Sequence, residues 1–452
     1  MEITFIGGTG TVTGSKYVFD DGLAANLIDC GLFQGFKQLR LRNWQPIPVD
    51  ARRLGAVVLT HAHIDHTGYL PLFIKNGFRG PVYCSKATRE LCEILLPDSA
   101  HLQEEEARFA NKRGFSKHKP ALPLYTVHDA ERALERLVAV DFNEPIKLGS
   151  ASSAHLLPAG HILGAAMIMI ESRGKRILFS GDLGRPNDPI MRAPTVVEHA
   201  DTIVLESTYG NRRHPVVDPE TELAGHLARV LTRGGVVVIP AFAVGRVQTL
   251  LHLIARLRKR SAFPEVPIYL NSPMAVDATR IYHTYRAEHR LTVEECTAAC
   301  QIAEFVNTPE QSKALNLKTG PMIIISASGM ATGGRVLHHL KAFAPDPKNM
   351  ILFSGFQAAG TRGAALVGGT EGVKIHGGYV PIGAEVDNLE GLSGHADYSE
   401  ILDWLKQLKR PPERIFLTHG EPAASDRMRQ HIEETLGWES YIPDYLEKVA
   451  LK

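Results

Sequence analysis

Four side chains able to bind metal ions lie within six positions of one short stretch, LTHAHIDHTG (59–68). His61 and His63 are two residues apart, so on an extended strand end their side chains point the same way. Where the chain then curls, Asp65 and His66 face a neighbouring position. Imidazole nitrogens together with a carboxylate are ligands that zinc accepts. The stretch therefore predicts ligands for two ions, in preference to a cluster of hydrogen-bonded surface histidines.

Four ligands cannot close two tetrahedral shells, so other parts of the chain must contribute. Three later stretches each place a candidate just beyond an apolar strand: PAGHILGA contains His161, FSGDLGR contains Asp182, and LTHGE contains His419. A carboxylate at Asp182 can bridge two ions. Taken singly, His161 and Asp182 each retain a structural alternative, and their shared position beside glycines favours ligation. Asp29, in LIDCG, is predicted to orient a ligating histidine through its other ring nitrogen.

The order of these motifs resembles the metallo-β-lactamase superfamily, and the stretch between Asp182 and His419 resembles the insertion of its β-CASP branch. VLESTYG, with Glu206, and LSGHAD, with His395, are similar to further signatures of that branch. The segments GGTGTVTGSKYV and DCGLFQG resemble bacterial relatives of the 73-kDa subunit of the eukaryotic cleavage and polyadenylation factor. Three segments resemble signatures of the domain inserted in that branch: PAFAVGRVQTLL (240–251), SASGMATGGRVLHHL (326–340) and SGFQAAGTRG (354–363).

The resemblance implies a site with two zinc ions, for which manganese is the alternative metal. One ion would be bound by His61, His63 and His161, the other by Asp65, His66 and His419, and Asp182 would bridge them. His395, supported by Glu206, would reach the scissile phosphate or the leaving group. The predicted catalytic residues are accordingly Asp65, Asp182, Glu206 and His395.

The chemistry that fits this site is hydrolysis of a phosphodiester. Paired zinc ions activate water and polarise phosphoryl oxygens, and the departing ribose oxygen leaves better when it is protonated. His395 can donate that proton, although a hydrogen bond without chemistry is its alternative role. In the β-CASP family a histidine at the last motif accompanies RNA processing enzymes, whereas DNA repair members carry valine. His419 therefore predicts a ribonuclease for single-stranded RNA, an endonuclease with 5′-exonuclease activity as an open addition.

Three other functions remain as alternatives. A small-molecule hydrolase of the lactamase or thioesterase kind shares the metal residues but gives residues 208–390 no purpose. A DNA nuclease of the same family shares the whole architecture. A non-catalytic RNA-binding protein would be expected to have lost ligands, and here every ligand position is filled.

The inserted stretch holds candidates for contacts with the RNA backbone. Ser326, Ser328 and Gly329 lie in a turn whose backbone N–H groups can cradle a phosphate. Arginines that follow Gly-containing loops can pair with phosphate oxygens through two hydrogen bonds. Three arginines of this kind are Arg246, Arg335 and Arg362. Each of them has the alternative of being an ordinary surface charge.

The elements that must position these residues follow two patterns. Up to Glu206, short apolar strands alternate with turns, and helices are predicted at 86–112 and 127–139. Beyond it, strands such as 236–240, 322–326 and 350–354 alternate with helices, which predicts parallel strands and a second α/β domain. The fold class is thus α/β, and the resemblance implies a metallo-β-lactamase αββα sandwich (1–207 and 391–452) with an inserted β-CASP α/β domain (208–390).

Composition excludes several classes of protein. The 452 residues are 44% hydrophobic and 22% charged, as in globular proteins, and no apolar run approaches the roughly 20 residues of a membrane span. A net charge of +1 gives no large cationic field, so RNA would be bound by a local surface. Five cysteines without a CxxC pair, and no secretion signal, predict reduced thiols and a cytoplasmic location. A homodimer is left open.

Overall fold

The computed structural model describes residues 1–114 and 116–451, and the chain forms two compact units. Unit 1 comprises Met1–Arg213 and His395–Lys452, and unit 2 comprises His214–Gly394. The predicted boundaries fall after residues 207 and 390, whereas these units divide after Arg213 and after Gly394.

The strands are numbered along the chain. Before His214 they are β1 (Glu2–Phe5), β2 (Tyr17–Asp20), β3 (Ala25–Ile28), β4 (Leu54–Val58), β5 (Val82–Ser85), β6 (Leu137–Val140), β7 (Ile146–Lys147), β8 (Ser152–Pro158), β9 (Ala166–Ser172), β10 (Lys175–Phe179) and β11 (Thr202–Glu206). Within unit 2 they are β12 (Val236–Pro240), β13 (Ile268–Asn271), β14 (Glu304–Phe305), β15 (Met322–Ser326), β16 (Met350–Phe353), β17 (Gly372–Ile375), β18 (Gly378–Pro381) and β19 (Glu385–Asn388). After Gly394 they are β20 (Arg414–Thr418), β21 (Ser440–Tyr441) and β22 (Lys448–Ala450).

The helices are numbered in the same way. In unit 1 they are α1 (Lys37–Arg42), α2 (Ile64–Thr67), α3 (Leu70–Lys75), α4 (Lys86–Arg113) and α5 (Val127–Leu134). In unit 2 they are α6 (Pro219–Thr232), α7 (Arg246–Lys259), α8 (Pro273–Thr284), α9 (Val293–Gln301), α10 (Pro309–Leu315), α11 (Val336–Phe343) and α12 (Arg362–Val367). Unit 1 resumes with α13 (Tyr398–Leu405) and α14 (Pro422–Leu436), and 3₁₀ turns lie at Ala51–Arg53, Arg286–Glu288 and Glu390–Leu392.

Unit 1 is a sandwich of two seven-stranded sheets, with strand orders β22-β1-β2-β3-β4-β5-β6 and β21-β20-β11-β10-β9-β8-β7. Alternate residues of each strand face the other sheet, so the aromatic rings of Phe5 and Phe416 meet at 5.2 Å between centroids and those of Tyr17 and Phe179 at 5.9 Å. Helix α4 packs on β5 and β6, and α14 packs on β20 and β21. The predicted αββα architecture is confirmed.

Unit 2 is built on a parallel six-stranded sheet of order β14-β13-β15-β12-β16-β19, with a separate β17-β18 hairpin. Its central strands are buried on both faces, which explains why they read as continuous apolar runs. Along β12, Val237 and Ile239 enter one hydrophobic cluster while Val236 and Val238 enter the other. The prediction of parallel strands in a second α/β domain is confirmed.

The prediction of a single helix over 127–139 is wrong. Helix α5 ends at Leu134, and β6 occupies Leu137–Val140. The run LVAV pairs in parallel with β5, with Val82 opposite Leu137, so strand pairing overrides the helical spacing of its apolar residues. The predicted helix at 86–112 matches α4 closely.

The described residues bear on two predictions made from composition, the absence of a membrane span and the state of the cysteines. None of their helices combines the length and apolar character needed to cross a bilayer. All five cysteines are free thiols, four of them buried. Burial raises the pKa of Cys30 and of Cys84 to about 12, so neither thiol ionises near neutral pH.

A glycine at the end of β3 permits a close approach of two backbone segments, and its replacement should be costly. A Cβ built on Gly31 would lie 1.5 Å from the carbonyl oxygen of Asp65. We expect Gly31→Ala to lower the free energy of unfolding by about 3 kcal/mol, because the obstacle is backbone and cannot swing aside. Gly225, within α6, has open space around its Cβ position, so Gly225→Ala should stabilise by about 0.5 kcal/mol. Urea unfolding of both variants checks this, and equal stabilities would contradict the close approach.

Candidate metal centre

All seven predicted metal ligands belong to unit 1, and they follow strand ends at one edge of its sandwich. The chain that follows β4 carries His61 and His63 and then curls into α2, as the spacing predicts. In the other sheet β10, β11 and β20 run parallel, so their carboxyl ends meet at the same edge. This arrangement brings Asp182 and His419 together although 236 residues separate them in the sequence.

Four ligand atoms form the first group: His61 Nε2, His63 Nδ1, His161 Nε2 and one oxygen of Asp182. His63 Nδ1 lies 3.1 Å from His61 Nε2 and 3.3 Å from His161 Nε2. Asp182 Oδ2 lies 3.4 Å from His61 Nε2 and 3.5 Å from His161 Nε2. Ligands about 2.0–2.1 Å from a tetrahedral zinc ion are roughly 3.3 Å from one another, so this group has the dimensions of a zinc site.

A second group consists of Asp65, His66 and His419. His66 Nε2 lies 3.2 Å from His419 Nε2, and His419 Nε2 lies 3.5 Å from Asp65 Oδ2. The other oxygen of Asp182, Oδ1, is 3.3 Å from His66 Nε2. The carboxylate of Asp182 therefore presents one oxygen to each group, which is the arrangement of a bridging ligand.

The protonation states of the first group favour a bound cation. Burial lowers the pKa of His61 to about 3 and that of His63 to about 4, and it holds the pKa of His161 well below its usual value. Neutral imidazole is the form that binds metal ions. Burial disfavours the ionised form of Asp182, but the surrounding histidines outweigh it and keep the pKa of that carboxyl well below its ordinary value.

One buried oxygen of the cluster has no hydrogen-bond donor among the residues that the structure describes. Asp182 is 2% exposed, and its Oδ1 atom accepts no hydrogen bond there. Leaving a buried carboxylate oxygen unsatisfied is costly, and a cation between the two groups would satisfy it. The donor set of five histidines and two carboxylates fits two zinc ions. The cluster is thus able to bind metal.

The Asp29 carboxylate lies beside the second group, and its role in orienting a ligand stays a prediction. Its Oδ2 accepts a hydrogen bond at 2.7 Å from His66 Nδ1, which leaves Nε2 of that ring facing Asp65 and His419. Burial disfavours the protonated form of His66, yet the carboxylates of Asp182 and Asp29 raise its pKa well above the ordinary value. The backbone N–H and the hydroxyl of Thr60 also donate to Asp29, at 2.7 Å and 2.8 Å.

Two threonines outside the predicted site residues also contact histidines of the cluster. Thr60 Oγ1 lies 3.1 Å from His61 Nδ1, and Thr208 Oγ1 lies 3.1 Å from His419 Nδ1. Both belong to motifs already singled out, LTHAHIDH and VLESTYG. The sequence does contain a signal for both threonines. Thr60 precedes the predicted ligand His61 directly, and Thr208 lies two positions after Glu206, at the end of a strand.

His395 lies beside this cluster in the same unit. Its Nδ1 is 3.1 Å from Glu206 Oε1, and its Nε2 is 4.0 Å from Asp182 Oδ2. Glu206 is itself held in place, because the backbone N–H groups of Leu183 and Thr208 donate to its two oxygens. Burial disfavours the imidazolium, but Glu206 and Asp182 outweigh it and raise the pKa of His395 to about 9. The pair can therefore hold a proton at Nε2.

The predicted phosphate cradle in unit 2 is a turn held by its own hydroxyl groups. Ser326 is buried, and its hydroxyl donates to the Asn271 carbonyl at 3.1 Å. The Ser328 hydroxyl lies 3.0 Å from that of Thr332. A Cβ on Gly329 would lie 2.8 Å from a backbone nitrogen, so glycine is needed for the turn itself. Phosphate binding here stays a prediction.

The predicted phosphate-binding arginines are partly used for structure. Arg335 donates to the Asn271 side chain at 2.9 Å and to two backbone carbonyls. Arg362 donates to the Lys374 carbonyl at 2.8 Å and to two further carbonyls. Arg246 begins α7. The contacts of Arg335 and Arg362 give these two side chains a structural role, and contact with RNA stays a prediction for all three.

Three family models match the chain. The metallo-beta-lactamase superfamily matches residues 10–208, the Beta-Casp domain matches 247–366, and the Zn-dependent metallo-hydrolase RNA specificity domain matches 379–443. The third model begins before His395 and continues past His419, so it covers the final two motifs of the site.

The chain is similar to proteins of bacteria and archaea. It is 37% identical over 431 residues to Ribonuclease TTHA0252 of Thermus thermophilus, with 93% of each chain covered. It is 29% identical over 479 residues to transcription termination factor FttA of Methanosarcina mazei, which covers 100% of this chain and 72% of that one. A crystal structure of a protein of unknown function from Enterococcus faecalis V583 gives a TM-score of 0.54 at 16% identity, covering 100% of this chain and 99% of that chain. That likeness concerns the fold alone.

Proposed function

Because the chain belongs to the metallo-β-lactamase superfamily and to its β-CASP branch, we propose that it is a zinc-dependent ribonuclease that hydrolyses phosphodiester bonds in single-stranded RNA. Two Zn²⁺ ions per chain are the proposed cofactors, with Mn²⁺ as the alternative. We expect internal cleavage, with 5′-exonuclease activity as an addition, and a role in RNA processing or decay in the cytoplasm. A homodimer is a further prediction.

One observation carries this proposal: the His395–Glu206 pair at the edge of the ligand cluster. Hydrolysis of a thioester or a β-lactam does not require protonation of an alkoxide as poor as a ribose oxygen. A histidine whose Nε2 lies 4.0 Å from Asp182 Oδ2 is within reach of a group leaving from the same centre. The pair therefore supports phosphodiester hydrolysis over small-molecule hydrolysis.

The residues of the site divide the work. Bound zinc would activate water and polarise the phosphoryl oxygens. His61, His63 and His161 would hold one ion, Asp65, His66 and His419 the other, and Asp182 would link the two groups. Nε2 of His395 would hold the proton that the leaving oxygen requires, while Glu206 keeps the ring oriented through Nδ1.

The proposal is tested with one defined RNA oligonucleotide, labelled at its 5′ end in one sample and at its 3′ end in another. Incubation with the purified protein and Zn²⁺ should give labelled fragments of intermediate length from both substrates, because cleavage is internal. Product released only as mononucleotides from one end would indicate an exonuclease instead.

Matched substrates decide between the remaining candidate functions. Single-stranded DNA of the same sequence should be cleaved more slowly than the RNA, and a panel of thioesters and β-lactams should stay intact. Turnover of the panel without RNA cleavage would contradict the proposal in favour of a small-molecule hydrolase. DNA cleavage that is faster than RNA cleavage would favour the DNA nuclease.

A further inference from the structure

A short segment of unit 1 exposes large apolar side chains in an unusual concentration. Phe36, Leu41 and Trp44 expose 48%, 52% and 58% of their surface. They flank or belong to helix α1, which contains no buried residue at all. The charged side chains of this segment are all basic. We call the surface the α1 platform, formed by Phe36, Lys37, Arg40, Leu41, Arg42 and Trp44.

The cations of the α1 platform are available to an anionic partner. Within the part of the chain that the structure describes, neither Lys37 nor Arg40 forms an ion pair, and both side chains are exposed. Arg42 is held over aromatic rings, 4.1 Å from the centroid of Tyr445 and 5.4 Å from that of Phe33. No acidic residue lies between 36 and 44, so the local charge is uniformly positive.

The α1 platform is fixed rather than loosely attached. The side chain of Asn43, which is buried, donates to the Phe33 carbonyl at 2.8 Å and accepts from the Phe33 N–H at 3.0 Å. The chain just before it supports the metal centre: Cys30 N–H donates to the His66 carbonyl at 2.7 Å, and Leu32 N–H donates to the Ile64 carbonyl at 3.0 Å. One continuous segment thus connects the exposed aromatic rings with the backbone of the predicted ligand His66 and of Ile64, which lies between His63 and Asp65.

We propose that the α1 platform binds a single-stranded part of the RNA substrate, with bases stacked on Trp44 and Phe36 and phosphates paired with Lys37 and Arg40. Exposed aromatic rings beside cations are the combination that binds single strands without sequence preference. The inference rests on the proposed function, since it assigns part of the substrate of the same site. The chain has a net charge of only +1, and the local positive charge of the α1 platform explains how it can still bind a polyanion.

A lipid surface fits the α1 platform less well. α1 has six residues, too few for the continuous apolar face that an interfacial helix inserts below the headgroups. A protein partner that covered the apolar rings would also bury Lys37 and Arg40, which need anionic partners on the opposing surface. Regularly spaced phosphates alternating with flat bases meet both requirements at once.

The test measures binding of a fluorescent 12-nucleotide single-stranded RNA by anisotropy. The full chain carries His395→Ala in every sample, so that the strand stays intact. Trp44→Ala should weaken binding about tenfold through loss of one stacking contact. Trp44→Phe should retain affinity within about threefold, because the ring remains. It should also remove the quenching of tryptophan fluorescence that RNA causes.

Two further arms make the test specific. Phe109→Ala removes an exposed ring on α4, near Glu104, Glu105 and Glu106, and should leave RNA affinity unchanged. Replacing both Lys37 and Arg40 with alanine should lower the magnitude of the slope of log affinity against log salt by about 1.4. Each phosphate contact on a single strand contributes roughly 0.7 to that slope, and two contacts are lost.

Unchanged affinity in Trp44→Ala, with RNA cleavage by the wild type intact, would overturn the α1 platform and leave the proposed function standing. Failure of the wild type to cleave RNA and of the His395→Ala chain to bind it would instead overturn the proposed function. Anionic lipid vesicles provide the last arm. Vesicle binding that is lost in Trp44→Ala while RNA binding persists would overturn the inference in favour of a membrane contact.

Discussion

Replacing His395 with alanine is expected to slow RNA cleavage by about 10³-fold while the zinc content stays near normal. His395 is not among the seven predicted ligands, and its Nε2 lies 4.0 Å from the nearer oxygen of Asp182. Its removal should therefore leave both ligand groups assembled. The loss arises because an unprotonated ribose oxygen is a poor leaving group.

The leaving group gives this prediction its sharpest control. A phosphodiester that releases p-nitrophenolate needs no proton, so His395→Ala should lose far less activity on it than on RNA. His155→Ala, a histidine of β8 outside the ligand groups, should behave as the wild type on both substrates. Equal losses on the two phosphodiesters would show that His395 supports the site in some way other than proton donation.

The second large effect is expected from Asp182→Asn, which should reduce bound zinc from two ions to fewer than one per chain and abolish RNA cleavage. Each oxygen of Asp182 faces one ligand group, at 3.3 Å from His66 Nε2 and 3.4 Å from His61 Nε2. The amide has the same size but no negative charge, and only one of its two atoms can ligate. Metal binding should weaken by at least the roughly 100-fold seen when outer partners of ligands are lost.

Metal content measured by mass spectrometry after gel filtration checks this outcome. Asp188→Asn is the matched variant, because Asp188 is a buried aspartate of the same loop region that accepts backbone N–H groups of Ile190 and Met191. It should retain two ions per chain. A chelator should lower the melting temperature of the wild type and of Asp188→Asn, but scarcely that of Asp182→Asn. Two retained zinc ions in Asp182→Asn would contradict the bridging role.

The sequence could predict which side chains converge at the centre because the signals are local. His61, His63 and Asp65 are adjacent in one motif, and His161 and His419 each follow an apolar strand beside glycine. Strand ends at one sheet edge necessarily converge, so the linear motifs could be assembled without coordinates.

What the sequence could not supply depends on contacts between distant segments. Whether the donors of Arg335 are spent on Asn271 or remain for a phosphate is decided by packing across 64 residues. The short strand β6 was mistaken for helix because only its pairing with β5 overrides the spacing of its apolar residues. The exposure of Trp44 was equally invisible, since a tryptophan in a polar segment is as often buried as not.

The order in which the ligands occur along the chain has a consequence for synthesis on the ribosome. β11 and β20 are hydrogen-bonded neighbours in one sheet, yet the whole of unit 2 is translated between them. His419 thus joins the centre only after His214–Gly394 has emerged, and a nascent polypeptide holds an incomplete nuclease until then. Before translation has passed codon 419, each growing chain lacks the last of the seven predicted ligands.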